Sequence, residues 1–388
     1  MEVGIGMAKN IVFVLHGIGE YQDGWMERES SAVPTLRKAA SDYPFFEGKS
    51  LDSYIDFVPV LYDDVYERIL RHWSDLGEGL KNSIPVMPPL ADKVASALQG
   101  AADDKWWLKT GADVLLYWGF KLFQQRIVLR VIAQIANKIA DTITTDGGTP
   151  GYHILAHSMG TAVAHDALHH LGTESWLSAL QNAPMDDADG DIARAQRAQL
   201  LDTIDLLRQD FGVSSPFDPS LFNFESVTMI SNVSALIHGV EGPYTSIVQP
   251  GSATTHGAFT RQYLNVNHDF DPVSLVGNFK MPAAWEMRGG VNVKLNHLVD
   301  VQDPLAIHDA AHYIAHPNLH LRLLQSYVDP YSATDTDVAK VAAYDAAHGP
   351  SAISASVKSK LKQIKQGKIG PLKEVIGQIK DFKKSITL

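Results

Sequence analysis

The segment that most constrains the fold of this 388-residue chain runs from Tyr152 to Ala162, with Ser158 near its centre. A short apolar run leads into the serine, and a helix-forming run leads away from it. Ala156 and Gly160 each stand two positions from Ser158. A larger side chain at either position would collide with neighbouring backbone in a tight strand-to-helix turn. The segment therefore predicts a strand, a strained turn that presents the serine, and a helix, with alanine at the first flank where glycine is usual.

Other short apolar runs are spaced along the chain like strands separated by helices. The run at 10–15 is almost entirely apolar and rich in β-branched residues, which is typical of a strand buried on both faces of a parallel sheet. Pro59 in the run 54–61 favours a sheet edge, because proline lacks the N–H that a central strand needs. Further strands are predicted at 152–156, 226–230, 262–266 and 292–295, and helices at about 31–43 and 192–210. The stretch at about 63–140 is predicted to be mostly helical, with a break at Pro85, Pro88 and Pro89. This alternation predicts an α/β fold with a mainly parallel central sheet flanked by helices.

Composition argues against several classes of function. The net charge of −11 argues against nucleic acid as a partner, and the lack of cysteine excludes disulfides, Cys-based zinc sites and thiol catalysis. The apolar tract 114–120 is far shorter than the roughly 20 residues that cross a bilayer. Residues 1–9 lack a basic region followed by an apolar core, so we expect no secretory signal and a cytoplasmic location.

A serine hydroxyl becomes an effective nucleophile when a base accepts its proton and a carboxylate orients that base. Two candidate acids, Asp269 and Asp271, follow the predicted strand 262–266. Beyond the last predicted strand, His308 lies at a loop-to-helix junction from which an imidazole can reach the carboxyl edge of the sheet. The alternative bases are His312 and, less favoured, His297. The residues alone leave both choices open.

Four motifs together resemble the serine hydrolases of the α/β-hydrolase superfamily, and most closely its lipase and esterase group. They are the His-Gly-x-Gly loop at 16–19, the Ala-His-Ser-Met-Gly turn at 156–160, the Asp-Pro-Val turn at 271–273 and the His-Asp-x-x-His-Tyr segment at 308–313. The resemblance implies an α/β-hydrolase fold and a catalytic triad of Ser158, Asp271 and His308. Asp271 is preferred to Asp269 because an acid-x-Val turn is frequent in this group. The implied reaction is cleavage of a carboxylic ester, including lipid esters, without a cofactor.

The resemblance also implies two backbone donors for the oxyanion that forms during acyl transfer. One is the N–H of Met159, directly after the serine. The second would come from the loop after the first strand, where Ile18 is preferred and Gly17 is the alternative. The two glycines at 17 and 19 lack the third glycine and the helix of a dinucleotide-binding fingerprint.

The predicted catalytic domain spans residues 1–330, with helical cap or lid insertions at about 75–140 and 182–222. A Ser/Ala/Asp-rich linker is predicted at 331–356. The tail at 357–388 carries nine lysines against two acidic residues, with apolar residues at roughly helical spacing. Such a tail could contact an anionic membrane surface or the acidic body of the protein.

Neither of two candidate metal motifs is convincing in the sequence. The acidic cluster at 186–191 has a misplaced glycine and lacks the closing glutamate of a calcium loop. Histidines recur every four residues from 308 to 320, but Pro317 interrupts the helix and no carboxylate is spaced to complete a site. We therefore expect no metal.

Two other functions remain open from the sequence. A non-catalytic α/β-hydrolase-fold binding module would lack a working acid or base, whereas candidates for both follow the serine in the expected order. Transfer of the acyl group to an acceptor other than water would use the same triad.

Overall fold

The computed structural model describes residues 8–17, 24–28, 31–62, 121–145, 150–171, 223–235, 248, 250–251, 259–271, 279–297 and 307–349. Its strands are β1 (Asn10–Leu15), β2 (Ile55–Val60), β3 (Tyr152–His157), β4 (Phe224–Ile230), β5 (Thr260–His268) and β6 (Gly290–Leu295). Its α-helices are α1 (Ala32–Ser41), α2 (Lys121–Thr145), α3 (Met159–Leu171), α4 (Ala283–Glu286), α5 (Ala310–Ile314), α6 (Pro317–Tyr327) and α7 (Asp335–His348).

The six strands form one sheet in the order β2-β1-β3-β4-β5-β6, and every neighbouring pair is parallel. The carboxyl ends of all six strands therefore lie along one edge of the sheet. The strand that leads into Ser158, β3, lies inside the sheet between β1 and β4. Side chains that follow β1, β3, β4 and β5 can consequently meet at this edge.

Alternation along the strands distributes side chains between two cores. In β1, Ile11, Phe13 and Leu15 pack on one face with residues of α2 and α3. Val12 and Val14 point to the other face and pack with residues of α1, α5 and α6. Both faces are apolar because helices cover both, which accounts for the almost uninterrupted apolar runs in the sequence. The predicted α/β class with a parallel sheet is confirmed.

The predicted strands all occur: β1 has the predicted bounds, β2 is one residue shorter at each end, and β3 to β6 are longer than predicted by one to four residues. β2 lies at an edge of the sheet, as its Pro59 predicts. The predicted helix at 31–43 corresponds to α1. Of the two predicted insertions, 182–222 lies outside the described residues, and only the part from 121 onward of 75–140 lies within them, as the first part of α2.

The segment predicted as a linker at 331–356 contains a helix, α7. Thr334 caps its first turn: its hydroxyl accepts the backbone N–H of Asp337, and the Asp337 carboxylate accepts the N–H of Thr334. This reciprocal cap and an alanine-rich interior favour a helix over an irregular linker. The lysine-rich tail lies outside the described residues. Among the described helices, none is long and apolar enough to cross a bilayer.

We expect the fold to lose stability in mild acid because buried histidines must stay neutral. Burial lowers the pKa of His16 to about 4, that of His153 to about 3 and that of His320 to about 4, against an ordinary value of 6.5. Below pH 6.5 the unfolded chain takes up protons that the folded chain does not. Each histidine then lowers the free energy of unfolding by up to about 1.4 kcal/mol per pH unit, until the pH reaches its folded pKa.

Urea unfolding followed by circular dichroism at several pH values from neutral to mildly acidic would measure this loss. The variant His153→Gln removes one of these titrations, so its free energy of unfolding should fall less steeply with pH than that of the wild type. A free energy of unfolding that stays constant through this range would contradict the expectation.

Candidate active site

Ser158 occupies the strained turn that its neighbours predict. It follows the last residue of β3 and precedes the first residue of α3, with a φ of 53° in the left-handed region. Its backbone N–H donates to the carbonyl oxygen of Ile230 at the end of β4, at 2.9 Å. Few non-glycine residues adopt this conformation, and where they do the surrounding structure usually imposes it. The hydrogen bond to β4 helps to fix the turn.

The small flanking residues are required by close backbone contacts. A Cβ atom at Gly160 would collide with the backbone carbonyl oxygen of His16. A Cβ at Gly17 would lie 2.9 Å from the Cβ of Ser158, so the loop after β1 runs directly against the serine. Ala156 is completely buried in the core, where its methyl group fits. The departure from glycine at this flank is therefore accommodated.

His308 lies beside Ser158, just before α5. Its Nε2 is 2.9 Å from the Ser158 hydroxyl oxygen, and its side chain is almost fully buried. Its backbone carbonyl lies 2.6 Å from Nε2 of His157. Burial, and next the neighbouring His308, lower the pKa of His157 to about 3, so this imidazole is neutral and donates its Nε2–H. The residue before the serine thus anchors the backbone of His308.

Asp271 completes a chain of hydrogen bonds behind His308. Its Oδ2 lies 2.9 Å from Nδ1 of His308 and also accepts from the hydroxyls of Ser231 at 2.7 Å and Tyr313 at 2.5 Å. The Asp271 side chain is fully buried. Burial alone would raise its pKa, but the neighbouring His308 and the three hydrogen bonds hold the pKa well below its ordinary value. Asp271 is therefore a carboxylate at neutral pH.

The protons in this chain follow from the charge on Asp271. A carboxylate only accepts, so Nδ1 of His308 carries the hydrogen that it donates to Asp271. The lone pair on Nε2 is then directed at the Ser158 hydroxyl, which is the arrangement that allows histidine to accept the serine proton.

The alternative acid, Asp269, and the alternative bases, His297 and His312, make other contacts. Asp269 is partly exposed and pairs with Lys294 at 3.1 Å. His297 lies 3.0 Å, through Nε2, from the backbone carbonyl of His312, and the rings of these two histidines stack at 4.3 Å. Of these candidates, only Asp271 and His308 form a described hydrogen-bonded chain with Ser158.

Sequence reasoning missed two residues that contact the Asp271 carboxylate. Ser231, with a φ of 50°, follows directly after β4, and its hydroxyl also lies 3.4 Å from Nδ1 of His308. Tyr313 lies on α5, five residues after His308, with its ring buried. A polar residue directly after a strand was a usable signal for Ser231. Tyr313 belongs to the His-Asp-x-x-His-Tyr segment, but its contact with Asp271 was not predicted, because a buried tyrosine on a helix is usually part of the core.

Tyr313→Phe should remove one hydrogen bond to Asp271 without changing the packing. A hydrogen bond to a buried charge contributes roughly 2 kcal/mol, so we expect the free energy of unfolding at pH 7 to fall by about this amount. Urea denaturation would measure it. Tyr331→Phe is the matched control, because that hydroxyl lies a longer 3.3 Å from the Asp337 carboxylate and should contribute less. Equal losses in the two variants would contradict the strong Tyr313 contact.

Of the residues whose backbone N–H groups are expected to bind the oxyanion, Met159 and Gly17 lie among the described residues. Met159 is the first residue of α3, so its N–H lies in the first turn, where helix N–H groups have no partner within the helix. Ile18, the expected second donor, lies outside the described residues. Gly17, the alternative donor, lies against Ser158. Met159 and Gly17 therefore both lie next to the serine.

The histidines that recur every four residues from 308 to 320 do not converge on one site among the described residues. His316 lies 3.0 Å from Asp345, and His320 bonds the Tyr43 hydroxyl at 2.6 Å and the Ile314 carbonyl at 2.9 Å. A different group, His268, His297 and His312, brings three imidazoles together. The acidic cluster at 186–191 lies outside the described residues.

Three side chains far apart in the sequence thus meet at the carboxyl edge of a parallel sheet. Ser158 comes from the turn after β3, Asp271 from the segment after β5, and His308 from the segment before α5. Their hydrogen bonds run from hydroxyl to imidazole to carboxylate. Comparison of the chain with protein-family models, with curated proteins and with solved structures gave no match in any of the three.

Proposed function

We propose that this protein is a serine hydrolase of the α/β-hydrolase superfamily that cleaves carboxylic esters. The observation that carries the proposal is the chain Ser158–His308–Asp271, with both heavy-atom distances at 2.9 Å. The three residues follow one another in the order serine, acid, histidine, which is the order of that superfamily. The strained serine turn at the carboxyl edge of an all-parallel sheet supports the same assignment.

In the proposed mechanism His308 first acts as a base. As the Ser158 oxygen attacks the ester carbonyl, its proton passes to Nε2 of His308, and the carbonyl oxygen becomes an oxyanion. The N–H of Met159 and an N–H of the loop after β1 would stabilise that charge. The Asp271 carboxylate stabilises the imidazolium and keeps its Nδ1 hydrogen in place.

His308 then acts as an acid. It returns the proton to the leaving alkoxide as the carbonyl re-forms and the ester bond to the alcohol breaks, which leaves an acyl group on Ser158. Water attacks this acyl-enzyme and passes a proton to His308. The carboxylic acid leaves, and the Ser158 hydroxyl is regenerated with the proton from the imidazole.

Further parts of the proposal concern substrate choice. The segment 182–222 and the part of 75–140 that precedes α2 would form a cap or lid over the sheet edge, as insertions do in this superfamily, and lipid esters are a candidate class. The remainder, 121–140, belongs to α2, which packs on one face of the sheet. The lysine-rich tail would contact an anionic membrane surface from the cytoplasmic side. Deletion of 357–388 should then abolish sedimentation of the protein with anionic vesicles; equal sedimentation of both forms would exclude this role.

A fluorophosphonate probe tests the proposed nucleophile directly, because it phosphonylates activated serines. Wild-type protein should be labelled at Ser158, and Ser158→Ala should not be labelled. Ser226→Ala is a matched control, because Ser226 is equally buried but lies within β4 and bonds His153. A folded wild type that resists labelling would favour a non-catalytic binding module. Labelling together with preferential transfer of the acyl group to an added alcohol would indicate an acyltransferase.

A further inference from the structure

Three histidines form a compact cluster behind the Asp271 carboxylate. His268 ends β5, His297 follows β6 by two residues, and His312 lies on α5. One ring nitrogen from each lies within 4.8 Å of the other two. His268 and His297 are fully buried, and His312 is partly buried. Their side chains come from three different elements, so the tertiary fold alone brings them together.

Two nitrogens of this cluster are buried without a hydrogen-bond partner among the described residues. They are Nδ1 of His297 and Nε2 of His312. Nε2 of His297 meets the backbone carbonyl of His312 at 3.0 Å and must donate to it, so Nδ1 carries the lone pair. A buried polar atom without a partner costs free energy and calls for an explanation, and a bound ion is one.

The third imidazole can supply a lone pair in the same way. Nε2 of His268 meets the backbone carbonyl of His297 at 2.9 Å, which leaves the lone pair on Nδ1. That lone pair accepts the N–H of Phe270 at 3.1 Å, in a partly buried contact. If Nδ1 of His268 bound a metal ion instead, water could accept the hydrogen bond from the Phe270 N–H. Metal-binding histidines commonly donate their second ring nitrogen to a backbone carbonyl, as His268 and His297 do.

We propose that His268, His297 and His312 bind one divalent transition-metal ion, of which Zn²⁺ is the best fit. Zinc is typically four-coordinate, with imidazole nitrogens at about 2.0–2.1 Å, so the three nitrogens would close to roughly 3.3 Å from one another. This closure requires the rings of His297 and His312 to rotate out of their parallel stack. Water would complete the site.

The donor chemistry of these rings suits a transition-metal ion. A divalent metal requires neutral imidazole and competes with protons for the lone pair. The borderline-soft imidazole donors suit Zn²⁺, Co²⁺, Ni²⁺ and Cu²⁺ rather than Ca²⁺ or Mg²⁺.

The ion would have a structural role in this position. It would join the carboxyl ends of β5 and β6 to α5. The N–H of Asp271 bonds the His268 carbonyl at 3.2 Å, and Tyr313 directly follows His312 and bonds the Asp271 carboxylate. The metal would therefore stabilise the segment that holds Asp271, without contacting the reacting atoms.

The test uses full-length protein without a histidine tag, stripped with chelator and dialysed against Zn²⁺ or Co²⁺. We expect about one retained ion per chain, a Co²⁺ absorption spectrum of tetrahedral intensity, and a higher Tm in the presence of Zn²⁺. The variants His297→Gln and His312→Gln should retain no ion and show no rise in Tm. His320→Gln is the matched control, because His320 is also buried and neutral but lies outside the cluster.

A folded wild type that retains no ion would overturn the proposal, as would equal retention in the wild type and both cluster variants. If a variant does not fold, the wild-type Co²⁺ spectrum decides: weak octahedral bands, like those of hydrated Co²⁺, would also overturn it. None of these measurements uses ester cleavage or serine labelling, so the metal proposal can fail while the proposed function stands.

Discussion

Ser158→Ala is expected to lower kcat for a p-nitrophenyl ester by about 10⁶-fold, which is the scale of losing the nucleophile in a serine hydrolase. Only the hydroxyl is removed. Alanine has the same difficulty as serine in adopting a φ of 53°, so the turn and the fold should be retained. Steady-state kinetics would measure the loss, with circular dichroism to verify folding.

The Ser226→Ala variant separates loss of the nucleophile from loss of a buried serine. We expect it to keep kcat within a few-fold of the wild type, since Ser226 contacts His153 rather than the candidate triad. Comparable activity in Ser158→Ala and the wild type would exclude Ser158 as the nucleophile. Activity lost equally in both serine variants would indicate that the loss reflects folding.

Asp271→Asn is expected to lower kcat by about 10⁴-fold. The amide has nearly the shape of the carboxylate, but its NH₂ group can face His308 and favour the imidazole tautomer with hydrogen on Nε2. That tautomer has no lone pair directed at Ser158 and cannot accept its proton. Steady-state kinetics at constant pH would measure the loss.

Asp269→Asn is the matched control, because Asp269 lies two residues from Asp271 and is the alternative acid in the sequence. The Asp269 carboxylate is partly exposed and pairs with Lys294. Surface pairs of this kind contribute little, so kcat should stay within a few-fold of the wild type. A larger loss in Asp269→Asn than in Asp271→Asn would reverse the assignment of the acid.

The sheet could be predicted from the sequence because its determinants are local. The β1 run at 10–15 is apolar on both faces, Pro59 restricts β2 to an edge, and the small residues at 156 and 160 permit one tight turn. Each of these features acts within a few residues of the chain. The α/β class and the strained turn at Ser158 follow from them.

The segment after residue 330 was harder to predict because its composition is ambiguous. Serine and aspartate favour turns, whereas alanine favours helix. The Thr334–Asp337 cap favours helix at this position, and α7 begins directly after Thr334. A capping residue followed by an acid three positions later was present in the sequence, so the helix could have been predicted from it.

Long-range contacts account for the features that the sequence left open. The acid-x-Val turn favoured Asp271 over Asp269 only by resemblance, whereas the chain leaving β5 turns Asp271 toward His308 and Asp269 toward Lys294. Ser231 and Tyr313 converge on the Asp271 carboxylate from two other elements. The cluster of His268, His297 and His312 depends in the same way on how β5, β6 and α5 pack.

The sequence by itself determined the parallel α/β architecture, the strained serine turn and the short set of residues that could serve it. Periodicity and turn stereochemistry specify these features, and both operate over a few neighbouring residues. Only the tertiary structure decided which acid and which histidine meet Ser158. That choice depends on hydrogen bonds between Ser158 and His308, which are 150 residues apart, and between His308 and Asp271, which are 37 residues apart. The packing of the whole sheet edge sets the distances between these side chains.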